Sequence, residues 1–293
     1  MPEDIGKTIR EHKYHAEASA VHGELKLPYP AKIERQAHAQ IKPEGGYESQ
    51  QGKPFRIEGI VSYSAAHTQA AGHLEDQTKK PGRGFKSLST SLVENLNILN
   101  VVTADRVVAQ ISTEHPLYEE DGHVPSVTFL GSQFYNLRIG GFPVEVELDL
   151  DLLDPKEHSC KIPFTKNDAF LKRLADRFKI FRDGGSEICA DLKKLYGSDP
   201  VTTDGTESTV YSLVKSIKTS APWQPIGNVF DIPDFGQVHL GVVRIYHSDL
   251  EEGIPKTTLI EIDMIEVNMG CIASGTVACV SGKNNGSSIP PTG

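Results

Sequence analysis

The sequence predicts a mainly β protein, an antiparallel β-sandwich-like double sheet with a short α-helical insertion. Three observations predict it. Short runs of alternating apolar and polar residues recur along the chain between glycine- and proline-rich turns, the pattern that stacked antiparallel sheets require. Helical spacing dominates only near the middle, where Phe170, Leu174, Phe178 and Phe181 follow one another by four, four and three. The helices that a doubly wound α/β fold would place between most strands are missing.

Taken in order, residues 1–16 are charged and aperiodic and are expected to form a loose arm or a short helix. Strands are expected at 17–27 and 31–41, with Pro28 and Pro30 between them. Residues 42–54 read as a connecting loop, 55–67 as a strand and 72–86 as a polar surface loop. From Leu92 to Thr113 the chain carries Val101, Val102, Val107, Val108 and Ile111, side chains suited to a pleated, partly buried surface. A second loop spans 116–125.

Gly140-Gly141 stands between two runs of period two. Two glycines accept the positive φ of a tight primed turn, so this is the clearest hairpin. Beyond it Val144, Val146 and Leu148 face one way while Glu145, Glu147 and Asp149 face the other. The helical insertion is placed at about 155–200. Asn167 or Asp168 caps its first helix and Gly184-Gly185 stops it; Ser186 opens a second that ends at Gly197. Strands return at 209–219, 227–232, 236–248 and 257–268, and 271–280 reads as a last hairpin. The plan is thus an arm at 1–16, one β-rich domain at 17–281 and a disordered tail at 282–293.

Four stretches of this pattern, SAVHGELKLP (19–28), NLNILNVVTADRVVAQIST (95–113), FYNLRIGGFPV (134–144) and the pair FDIPDFGQVHLGVV (230–243) with IDMIEVNMGC (262–271), together resemble the choice-of-anchor group of bacterial β-rich proteins. The resemblance spans most of the chain outside about 150–205. It implies β architecture and brings no catalytic residues with it. The polar start MPEDIGKTIREHKYH lacks the apolar stretch of a signal peptide. The expected location is therefore cytoplasmic, or exported with the signal removed.

Composition excludes some classes. With 38% hydrophobic and 24% charged residues in 293, the chain can bury a real core. Its 39 acidic and 30 basic residues give a formal charge of −9, which offers phosphates no general attraction, so nucleic acid is not an expected partner. No run approaches a membrane span. The helix at 167–182 carries Lys172, Arg173 and Arg177, cations that allow surface contact with an anionic membrane; the plainer reading has them in water while the phenylalanines cover a sheet.

Sharp chemical signatures are absent: no HExxH, GxSxG or GxGxxG occurs. Among eleven histidines, His115 and His123 bracket Glu119, Glu120 and Asp121 in a loop. Imidazole and carboxylate ligands suit a divalent metal if the loop folds back, so His115, Glu119, Asp121 and His123 are the candidate ligands, against the plainer reading of an acidic surface loop. His158 and Cys160 with Cys189 make a weaker zinc set. Of the four cysteines, Cys271 and Cys279 face each other if 271–280 is a hairpin, and Cys160 can reach Cys189; free buried thiols are the preferred reading. Asp149, Asp151 and Asp154 alternate with leucines as the exposed face of a strand would, and Trp223, between Pro222 and Pro225, reads as a plug at the core's edge.

The expected function is that of a non-catalytic structural or interaction protein, self-associating or bound to a protein partner, with no cofactor. The alternative is a metal-dependent enzyme or small-ligand binder using the loops at one end of the sandwich.

Overall fold

The computed structural model describes residues 7–27, 30–57, 59–78, 84–153, 160–184, 187–196, 200–251, 254–270 and 274–289. Its strands, in chain order, are β1 (Glu11–Leu27), β2 (Ala31–Ile33), β3 (Ala39–Gln40), β4 (Gly46–Gly52), β5 (Phe55–Ile57), β6 (Val61–Tyr63), β7 (Ala65–Leu74), β8 (Phe85–Ile98), β9 (Val102–His115) and β10 (Ser126–Thr128). They continue as β11 (Gln133–Tyr135), β12 (Arg138–Ile139), β13 (Phe142–Leu148), β14 (Val201–Thr203), β15 (Thr206–Ser212), β16 (Val214–Thr219), β17 (Val229–Ile232), β18 (Gly236–Glu251), β19 (Ile254–Gly270) and β20 (Ser274–Ile289). Helices α1 (Asp168–Arg177), α2 (Lys179–Asp183) and α3 (Glu187–Leu195) lie between β13 and β14.

Two antiparallel sheets pack face to face. The first runs β14-β15-β18-β19-β20-β1-β2, with β17 beside β18 and β3 beside β1. The second runs β16-β13-β12-β9-β8-β6-β5, with β10 and β11 on β9, β7 on β8 and β4 on β7. The sandwich expected from alternation is the observed fold.

Alternation slips by one residue at the same level in four neighbouring strands. β19 buries Ile260 and Ile262, then Ile265 and Val267. The unbridged position is Ala20 in β1, Val280 in β20, Met264 in β19 and Gly241 in β18, and pairing resumes in register on both sides. Val280 and Gly241 take φ of 59° and 58° there. The row acts as aligned bulges would, bending the sheet and exchanging which residues face inward.

On one side of this row the sheets meet through small residues. Ala16, Ala39, Ala70 and Ile41 form a separate core with Tyr14 against it. Ser91 Oγ donates to Ser19 O at 2.9 Å, and Asn284 Nδ2 donates to Ser87 O and Ile111 O at 3.1 and 3.0 Å. Single side chains thus reach the backbone of the facing sheet. The larger core fills the rest of the interior and takes in Phe170, Leu174, Phe178, Phe181, Leu192 and Tyr196 from the helical insertion. Asn167 caps α1 by accepting from Phe170 N at 3.0 Å.

Several boundaries move. The expected arm is strand from Glu11, and the expected tail is strand to Ile289, because β1 and β20 pair from Glu11↔Ile289 to Leu27↔Ser274. The expected loop at 42–54 contains β4, paired to β7 along its whole length. The stretch 92–113 is two strands folded at Leu99-Asn100. The stretch 209–219 changes sheet at Leu213, whose N donates to Gly241 O at 2.8 Å and whose O accepts from Asp149 N at 2.7 Å. Of the last expected hairpin at 271–280, residues 274–280 are instead the start of β20, and 271–273 lie outside the described residues. β13 ends at Leu148, so Asp149 and Asp151 do not extend its exposed face; Asp149 pairs with Arg177, and Asp154 lies outside the described residues.

Candidate functional site

The outward face of the first sheet carries a ladder of charge. In β1, Ala16 and Ala18 point into the sandwich, so Glu17 points out, as successive side chains must. Register places Glu17 beside Lys283, Lys283 beside Glu261 and Glu261 beside Arg244. Negative and positive side chains therefore alternate across β1, β20, β19 and β18, an arrangement of favourable cross-strand pairs. Lys283 reaches Glu261 at 2.6 Å, while Arg244 turns to Asp263 at 2.8 Å and also pairs with Glu266.

Burial sets the electrostatics. Asp263 accepts from Ser281 Oγ at 2.5 Å as well as from Arg244. Burial nonetheless holds its carboxyl above the usual carboxylate range, against the pull of Arg244. For Arg244 burial alone would lower the guanidinium, but Glu266 and then Asp263 outweigh it and the net shift is upward. The pair is mutually satisfied, which makes Asp263 a poor free base.

At the sheet's edge the segment joining β2 to β3 folds back over Glu17, whose side chain is only 8% exposed. Arg35 pairs with its Oε1; His38 Nε2 lies 3.2 Å from the same oxygen and His15 Nε2 lies 3.5 Å from Oε2. Burial lowers both imidazoles; Lys283 and Arg35 add to the effect at His15, and Arg35 at His38. Both rings are therefore neutral near pH 7 in spite of the carboxylate. A cavity of about 60 Å³ lies between Glu17, His22, Arg35, Asp263 and Lys283. It adjoins a groove of about 1060 Å³, open to solvent and lined by His22, Glu24, Leu25, Lys32, Ile33, Arg35 and Ala278, among others.

The family described as Domain of unknown function (DUF8256) matches residues 12–246 of this sequence. The chain belongs to this family. None of the curated proteins and none of the solved structures searched matches it. The DUF8256 stretch contains Glu17, His22, Arg35, His38 and Arg244, whereas Glu261, Asp263, Ser281 and Lys283 follow it. The ladder therefore joins residues inside the family region to strands β19 and β20 beyond it.

The structure brings His115 within electrostatic reach of His123 but does not gather the four loop residues expected as metal ligands into one site. His115 is the last inward residue of β9, 1% exposed, with its ring against His12 at 4.7 Å between centroids. Glu119 and Asp121 lie on a surface 3-10 turn, where Asp121 pairs with Lys7 at 3.3 Å, and His123 N donates to Cys160 O at 2.8 Å. Among the described residues no group of three His, Cys, Asp or Glu side chains is placed to hold a metal ion. Cys160 and Cys279 are free thiols and Cys189 is buried; His158 and Cys271 lie outside the described residues. On α1, Arg173 donates to Leu152 O and Arg177 to Ser212 O, each at 2.9 Å. Those two cations fasten the helix to neighbouring backbone, while Lys172 is exposed. Among the described residues no helix is long and apolar enough to cross a membrane.

The ladder is not visible in the sequence. Its only local signal was charge inside apolar strands, as in LIEIDMIEV and VVRIY. Nothing local says which charge faces which.

Proposed function

We propose that the chain is a non-catalytic interaction protein that receives an extended peptide segment of a protein partner in the groove along β1, β2 and β20. One observation carries this reading: the groove is open and its wall mixes apolar Leu25, Ile33 and Ala278 with charged Glu24, Lys32 and Arg35. Small-molecule sites enclose roughly 70–90% of their ligand, which an open groove does not do. An extended chain suits it, placing alternate side chains on apolar and charged patches. The acids beside the groove are matched by cations, as suits electrostatic recognition better than proton transfer. Kinship with the bacterial choice-of-anchor group belongs to the same proposal and rests on strand pattern alone.

The test is to select binding peptides from a displayed random library and to measure their affinity by fluorescence polarisation. Lys32→Glu and Glu24→Lys reverse two exposed charges without touching the core. Both are expected to weaken binding by about tenfold, as lost complementarity implies. Failure to select any binder, or unchanged affinity in both variants, would overturn the proposal.

A further inference from the structure

The free edges of the two sheets are guarded unequally. β14 and β2 are three residues long, β2 follows Pro30 and contains Lys32, and β5 is three residues long and follows Pro54. β16 carries Lys215 and Lys218. Short length, proline and lysine are the usual means of keeping an edge from pairing. β4 has none of them. Its seven residues, GYESQQG, contain one charge, Glu48, and no proline or lysine. It pairs with β7 on one side in unbroken register from Gly46↔Gly72 to Gly52↔Ala66, and among the described residues no strand flanks its other side. Tyr47, the second residue of the strand, is 64% exposed.

We infer that β4 is a self-association edge, pairing antiparallel with β4 of a second copy of this chain about a two-fold axis at Ser49. That register uses all seven residues and places Gly46 opposite Gly52, Tyr47 opposite Gln51 and Glu48 opposite Gln50. The strand's single charge then never meets itself. Gln50 Nε2 donates to Glu48 Oε1 at 2.7 Å within one copy, so the two side chains share a face, and across the axis each Glu48 meets an amide. Centring the axis on Glu48 instead would oppose two carboxylates and shorten the overlap. The pairing joins the second sheets of two copies into one continuous sheet, an isologous contact that closes at two subunits. This surface is separate from the groove over β1 and β2, so either reading can fail without the other.

Sedimentation velocity of the full chain from about 1 to about 100 micromolar, the range of small transient interfaces, reads the association directly. The wild-type chain is expected to shift from monomer to dimer. Gln50→Lys faces Glu48 of the second copy and is expected to tighten the dimer about threefold or more, from two symmetric cross-strand pairs. Gln50→Glu opposes like charges, and Ser49→Lys sets two ammonium groups on the axis; both are expected to weaken it by about tenfold. A monomer at every concentration sinks the inference, as does a dimer whose affinity is the same in Gln50→Lys and Gln50→Glu.

Discussion

His12 stacks on Phe85 at 4.7 Å between centroids, and neither of its ring nitrogens has a hydrogen-bond partner. Burial, and then Arg10, push its pKa down to about 3; burial, and then His12, hold His115 well below the imidazole range. A depressed histidine binds its proton more readily in the unfolded chain. Its stabilising effect is therefore complete above about pH 6.5 and is lost as pH falls toward 3, at about 1.4 kcal/mol per pH unit for each such group. His12→Phe keeps the stack and removes one titration. Urea unfolding at pH 7.5 and 5 should then show stability falling less steeply than in the wild type, by about one proton's worth of slope. An unchanged slope would show that His12 does not titrate in this way. The same strand geometry decides where His115 lies. Ala109, Ile111, Thr113 and His115 are successive inward residues of β9, so a strand continued two residues past Thr113 turns His115 into the core.

The two primed turns show which elements are legible in sequence. Gly140 and Gly141 take φ of 56° and 84° between Ile139 and Phe142, as the glycine pair predicted. Leu99 and Asn100 adopt φ of 51° and 55° in a comparable turn without a glycine to announce it, so nothing local marks where β8 ends and β9 begins. The tertiary structure supports the second turn: Leu99 N donates to Ile60 O at 2.8 Å. At Gly140 a Cβ would also run into the Trp223 indole, whereas Gly141 opens to space. Trp223 stands edge-on to Phe142 at 5.7 Å, closing the core's edge as expected. Gly141→Ala should cost about 1 kcal/mol for its backbone alone, and Gly140→Ala about 2–3 kcal/mol because the indole must also move. Denaturation midpoints give the comparison, and equal losses would contradict the contact.

For the whole molecule the deciding element is β20, which lies between β1 and β19 in the middle of the first sheet. Its sequence, SGTVACVSGKNNGSSI, is polar enough to pass for a tail. Asn284 is nonetheless fully buried and holds the backbones of Ser87 and Ile111 in the facing sheet. A chain ending at Gly282 loses those bonds and the rungs that join β1 to β19 beyond that point. Its melting temperature is expected to fall by more than about 10 °C, since a loss of 1 kcal/mol already shifts a large domain by roughly 2–4 °C. A truncated chain that melts like the wild type would rule out this pairing.

Alternation and turn chemistry are properties of a few consecutive residues, because the pleat fixes side-chain direction locally. On that basis the sequence by itself determined the β-sandwich class, the Gly140-Gly141 hairpin and the capped helix that follows Asn167. Sheet membership, the row of slipped residues from Ala20 to Gly241 and the ladder from Glu17 to Arg244 were decided by the tertiary structure. Glu17 meets Lys283 only because packing selects one register between strands at opposite ends of the chain, and a shift of one residue in either strand would turn its charge into the core.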